Sequence, residues 1–216
     1  GGASNGSFTR PDLTVAAGVN RCAANNGDTV YVKEGHAETF AASTGTWDPT
    51  AGVAIVGLGT KGLRPTFTMS ATASQLVLAS ANLILSNLVF LSSIDAVVAV
   101  VSIEAANVQL LGVEFQDTDA NTEAVIDIIT TTAADNLTLR TKHIGFTAGN
   151  GHTHAIQLVG VVNADIDIDF FGTASTGVVE MATTVCQNVN IVGKISNGHT
   201  TPNLNIVNAG ALTHTF

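Results

Sequence analysis

Basic residues are scarce in this chain of 216 residues: 8 Lys and Arg stand against 17 Asp and Glu, a formal charge of −9 with a pI near 4.8. No basic run occurs, which excludes a binder of the phosphate backbone, because that affinity rests on clustered Lys and Arg. Long apolar runs are missing as well. The best, 88–103, falls short of the roughly 20 residues a membrane-spanning helix needs and contains Asp95 and three serines. Cysteine is nearly absent. Cys22 and Cys186 lie far apart and outside any CxxC spacing, so zinc and thioredoxin-like chemistry are not indicated, and both read as buried free thiols. Trp47 and Tyr31 are the only residues of their types, which leaves little for the aromatic platforms on which sugars stack. The opening GGASNGSFTR shows no basic-then-apolar pattern, so no signal peptide is read there; residues 1–11 read as a flexible polar arm.

What remains is a core-forming composition, 45% hydrophobic and only 12% charged. Helix signals are confined to one segment, about 12–24, where Pro11 and Asp12 offer a start, Val15, Val19 and Cys22 recur at helical spacing, and Asn25-Asn26-Gly27 stops it. After it come short runs of Val, Ile, Leu, Thr and Phe broken by Asn, Gly, Ser and Asp, with no shift in composition that would divide 12–216 into two domains.

Those runs repeat. An Asn or Asp followed by alternating apolar residues opens at Asn82, Asn107, Asn136, Asp165, Asn188 and Asn203, and an aromatic often follows, at Phe90, Phe115, Phe146 and Phe170 or Phe171. One such unit has too little apolar surface to bury a core, so copies must stack. Strand residues alternate faces, so Leu137 with Leu139, Ile166 with Ile168 and Val189 with Ile191 point into a shared interior. Asn tolerates the left-handed backbone of a tight corner and bonds neighbouring amides, so a stacked Asn ladder is expected. The fold class read from this is all-β: a right-handed, single-stranded parallel β-helix with a short N-terminal capping helix. The competing antiparallel sandwich requires hairpin dipeptides that are scarce here.

GDTVYVKEGHAETF at 27–40 resembles the opening coil of right-handed parallel β-helix proteins of the pectate-lyase-like kind, and VAIVGLGTKGLRPTFTMSA at 53–71 resembles a β-helix protein encoded among the structural genes of tailed bacteriophages. The resemblance implies a virion component: a capsid decoration or cement protein on the outer capsid surface, associating as a homotrimer and contacting the major capsid protein. It equally implies the alternative of a tail spike or fibre that binds or cleaves host-surface glycan.

Local motifs add little chemistry. Gly57-Leu-Gly-Thr-Lys-Gly62 matches GxGxxG, but Arg64-Pro65-Thr66-Phe67 follows where a dinucleotide site needs a helix, so it reads as a turn between coils. Asp165, Asp167 and Asp169 share one strand face with no Lys or Arg in their own stretch; that is a solvated face, or one on which calcium relieves the repulsion. Glu114, Asp117, Asp119, Glu123 and Asp127 crowd beside a long interval and are the candidates for the two carboxylates of glycoside hydrolysis, read here as loop acids facing solvent. His152 and His154 form an HxH that places both on one strand face, with His143 or His199 as a third metal ligand from a neighbouring coil. No catalytic, cofactor or metal residue is assigned, and the chain is expected to be non-enzymatic, with neither nucleic acid nor membrane as partner.

Overall fold

The computed structural model describes residues 5–41, 47, 49–118, 124–145, 152–182, 184–199 and 205–208. Within them the chain winds as a parallel β-solenoid of about six turns. Each full turn lays down a first strand, a second strand across a corner, and a third on a separate sheet. The first face stacks β1 (Thr29–Val32), β3 (Ala54–Gly57) and β6 (Ile84–Ser86). The second stacks β2 (Ala37–Phe40), β4 (Thr66–Met69) and β7 (Val89–Ser92). From the fourth turn upward single long strands cover both faces: β9 (Gln109–Asp117), β11 (Leu137–Ile144), β13 (Val162–Gly172) and β15 (Gln187–Asn197). The third face is a six-stranded sheet of β5 (Leu76–Leu78), β8 (Val101–Ile103), β10 (Ile126–Thr130), β12 (His154–Leu158), β14 (Val179–Met181) and β16 (Ile206–Asn208). Every strand pair is parallel. Among the described residues, no helix is long and apolar enough to cross a membrane.

The Asn ladder sits at the corner before the first face. Asn82, Asn107, Asn136, Asn163 and Asn188 all take positive φ, between 53° and 62°. From Asn107 upward, each side-chain amide donates to the Oδ1 of the Asn one turn earlier, over 2.8 to 3.1 Å. The member in the sixth turn is Asn163, two residues before the Asp165 that the alternating pattern suggested. Asn203 lies outside the described residues. Main-chain bonds extend the column downward: Asn25 N–H donates to Ala51, Gly52 to Ala81 and Asn82 to Ala106. Gly52 fills the one rung without Asn because a Cβ there would meet the Asn25 backbone at 2.9 Å. Asn107→Ala removes two ladder bonds and leaves a β-carbon residue in the left-handed region, so a loss of about 1–2 kcal/mol is expected in denaturant unfolding. Asn107→Gly keeps the backbone relaxed and recovers part of it; an alanine variant as stable as the parent would refute the ladder's contribution.

Inside, Leu139, Ile166, Ile168 and Val189 are fully buried, as alternation requires, and Ile191 is partly buried at the last turn. An aromatic column runs up the second face: Phe67 to Phe90 at 5.7 Å, Phe90 to Phe115 at 5.6 Å, and Phe115 to His143 at 4.9 Å with rings 8° apart. His143 therefore takes the rung assigned to Phe146, which lies outside the described residues. Phe170 continues the column and is buried, whereas Phe171 faces outward.

The capping helix is shorter than its sequence suggests. α1 covers Val15–Val19, with Thr14 as N-cap accepting from the Ala17 N–H at 3.2 Å. It ends at Asn20, because residues 20–24 must turn to bring Asn25 into the corner column. Its buried Val15 and Val19 close the first coil, and Gly18 lets it approach β1 so closely that a Cβ would stand 3.0 Å from Val30.

Candidate functional site

Three places gather chemistry, and the strongest by geometry is sealed. Asp127, at the start of β10, accepts from two imidazoles: His143 Nδ1 at 2.7 Å and His152 Nε2 at 3.2 Å. His143 Nε2 faces the Thr141 hydroxyl at 2.9 Å. With Asp127 as acceptor, His143 carries its proton on Nδ1 and takes the Thr141 O–H on Nε2. Asp117, at the end of β9, stands 3.7 Å from His152 Nε2. His152 also packs edge-on against Phe170 at 6.2 Å. The side chains of Asp117, Asp127, His143 and His152 are at most 3% exposed.

Electrostatics keep this cluster charged. Burial disfavours the His152 imidazolium, but the Asp127 charge and hydrogen bond, with Asp117 behind them, outweigh it and push His152 up to about 9. Burial likewise works against the Asp127 carboxylate, and the two histidines overcome it, holding Asp127 down at about 2. Thr141, His143 and Asp127 have the hydroxyl–imidazole–carboxylate order of a nucleophile relay. The hydroxyl belongs to a residue only 5% exposed and the imidazole is fully buried, so no substrate reaches it. The arrangement satisfies polar groups inside the coil, and it ties β9, β10 and β11 to the chain entering β12.

The HxH pair is split by the fold. His152 joins Asp127, while His154 faces Glu180 at 3.0 Å and the Gly177 carbonyl at 3.3 Å. His199 is placed by its own N–H on Asn197. Among the described residues, no three His, Cys, Asp or Glu side chains are arranged to hold a metal ion.

On the outer surface, register supplies what the stretch 165–169 lacked. Arg140 lies opposite Asp167, and Lys142 opposite Asp169, on the adjacent strand β11. Lys194 flanks Asp169 from β15, and Glu114 flanks Lys142 from β9. Charges thus alternate from turn to turn: Glu114, Lys142, Asp169, Lys194. Arg140 donates to the Asp165 carboxylate, and that bond with one from Asn190 lowers the Asp165 pKa. Asp165 is accordingly paired with Arg140, and Asp167 and Asp169 have basic register neighbours about one turn away in sequence, so the unrelieved repulsion behind the calcium reading is reduced. A groove of about 310 Å³ crosses this surface. Its deepest acid, Glu114, is engaged by Arg64 and Gln116, and those bonds outweigh burial and keep it ionised.

The five crowded acids separate in the same way. Glu114 is on the outer face, Asp117 and Asp127 are sealed inside, and Asp119 and Glu123 lie outside the described residues. Trp47 is 1% exposed among Phe40, Phe67 and Phe90, so it forms no sugar platform. Gly57 to Gly62 is a turn: a 3₁₀ segment, Lys61–Leu63, leads straight into β4, and Asn87 Nδ2 donates to the Gly57 and Gly59 carbonyls, each at 2.9 Å. Both cysteines are free thiols whose pKa values burial raises, which makes them poor nucleophiles.

The third place is the first coil itself. Among the described residues, four of the eight exposed large apolar side chains, Phe8, Leu13, Tyr31 and Leu63, gather there or at the next turn's edge. A cleft of about 580 Å³ lies between residues 6–8, α1 and β1. Lys33 reaches over the Phe8 ring at 4.5 Å and donates to the Phe8 carbonyl at 3.3 Å, which places this part of the arm against β1. Charge is also segregated along the chain, and therefore along the solenoid: residues 1–64 hold 5 Lys and Arg and 5 Asp and Glu, while 65–216 hold 3 and 12. Sequence reasoning singled out the arm at this end as an anchor but missed the cleft, because its signal is the spatial coincidence of residues spread over 8–63. No known protein family, curated protein or solved structure matches the chain.

Proposed function

We propose that the chain is a non-enzymatic docking and stabilising protein that seats its N-terminal end on a larger protein assembly, and that this assembly is a bacteriophage capsid. The observation that carries the reading is the axial segregation. Residues 1–64, the first coil and the start of the second, are neutral overall and bear exposed Phe8, Leu13 and Tyr31, while residues 65–216 carry the whole net charge of −9. Apolar contact favours the first coil as the docking end, and the acidic upper turns favour solvent. The convergent acid and imidazole groups that an enzyme would use are sealed among the described residues, which supports a role without chemistry. The resemblance of 53–71 to a β-helix protein of tailed bacteriophages supplies the capsid, the major capsid protein as partner and the homotrimer.

Binding to the assembled shell alone stabilises it by mass action. Shells prepared without the protein are therefore expected to bind it on mixing and to regain resistance to heat and low salt. Co-sedimentation and a thermal melt of the shells measure both. Shells that neither bind the protein nor change their melting behaviour would exclude this role.

A further inference from the structure

The cleft at the first coil runs along a strand edge that has no partner. β1 pairs with β3 on one side, where the Asp28 and Val32 carbonyls accept from the Ala54 and Leu58 N–H groups at 3.0 and 2.8 Å. Pleating alternates the direction of main-chain groups, so Val30 also faces β3, while the N–H and C=O of Thr29 and Tyr31 face away. Among the described residues, no hydrogen bond reaches those four groups. All of 28–33 line the cleft, together with residues 6–8, the side of α1 that carries Val15 and Gly18, and Cys22 beyond the helix. An unpaired edge is a template for another strand.

We propose that this edge is a strand-addition site: an extended, uncharged segment of a partner polypeptide, with small apolar side chains at alternate positions, lies in the cleft and hydrogen-bonds to Thr29 and Tyr31. The lining sets that chemistry. Its charged groups are already engaged, Arg21 with Asp12 at 2.8 Å, Asp28 with the Ala23 N–H at 2.7 Å and Asn26, and Lys33 with the Phe8 ring and carbonyl, so the lining favours an uncharged segment. The wall of Val15 and Gly18 on α1 and Cys22 just after it accepts small apolar side chains on one face of the added strand. Size excludes a whole coil of a second copy: 580 Å³ falls in the range of roughly 300–1,000 Å³ typical of small-ligand clefts, and β1 spans only about 13 Å at 3.3 Å per residue. A lone arm or loop fits; a sheet edge does not. The site stands on the edge and cleft alone and goes beyond the identity of the assembly.

Amide hydrogen exchange on the full chain tests it, with and without a blocked synthetic pentapeptide alternating valine and threonine. Alone, the Thr29 and Tyr31 amides exchange fast while those of Val30 and Val32 are protected; saturating peptide slows the first two about tenfold or more. Tyr31→Pro removes a free-edge donor without touching the β3 ladder, and weakens peptide binding about tenfold, the equivalent of one well-made hydrogen bond. Tyr31→Ser keeps the N–H and weakens it less. Retained protection of Val30 and Val32 shows that β1 in the proline variant is still paired. No saturable binding, binding that leaves both amides fast, or a proline variant that binds like the parent would overturn the site. Protection that grows with protein concentration in the absence of peptide would assign the edge to a second copy and overturn it too. A chain that binds peptide but no shells keeps this site and loses the capsid role; one that binds shells with both amides still fast does the reverse.

Discussion

Asp127→Ala is expected to cost about 3–5 kcal/mol of stability, the range seen when one partner of a buried ion pair is removed. The substitution strips the acceptor from two imidazoles at once, His143 at 2.7 Å and His152 at 3.2 Å. What is left around His152 is Asp117 at 3.7 Å, too distant for a good hydrogen bond. The same pair makes stability depend on pH in a direction that can be worked out. His152 is raised to about 9, so its contribution is complete below the unfolded value near 6.5 and disappears as pH rises from there through 9. Asp127 is lowered to about 2, so its contribution is complete above the unfolded value near 3.8 and disappears as pH falls towards 2. Both describe one interaction and are not added. Over the alkaline window the loss is on the order of 3 kcal/mol. Thermal melts of parent and Asp127→Ala between pH 6 and 9.5 measure it: the parent declines steeply and the variant stays nearly flat. Equal slopes would show that the buried pair is not the source.

Phe90→Ala is expected to be the most damaging apolar truncation, at about 3–5 kcal/mol from lost transfer energy plus the cavity left behind. Phe90 is 1% exposed at the junction of the aromatic column, 5.7 Å from Phe67, 5.6 Å from Phe115 and 6.3 Å from Trp47. Each turn of a solenoid touches only its neighbours, so a gap at the third turn weakens both interfaces it shares. Equilibrium unfolding should then lose sharpness, with the turns below the gap opening before those above it. A Phe90→Leu variant refills much of the volume and recovers part of the loss. If Phe90→Ala unfolds within about 1 kcal/mol of the parent, the column is not a stabilising core.

The sequence by itself determined the architecture of the turn. Asn82, Asn107, Asn136 and Asn188 recur at corners because few residues accept that backbone. The alternation of Leu137, Leu139, Ile166 and Ile168 fixes which side faces inward, since period two admits only one assignment. Neighbour identity between turns was settled only by the tertiary structure. Turn length varies, with the ladder's Asn residues 25, 29, 27 and 25 positions apart, so register cannot be counted off the chain. That variation hid Asn163 behind the similar pattern at Asp165, set Arg140 and Lys142 beside aspartates that looked unpaired, and put His143 where a phenylalanine was expected. It also carried His152 and His154 to different partners. Local side-chain chemistry selects the corner and the inward face; loop lengths, which packing adjusts, decide who stands above whom.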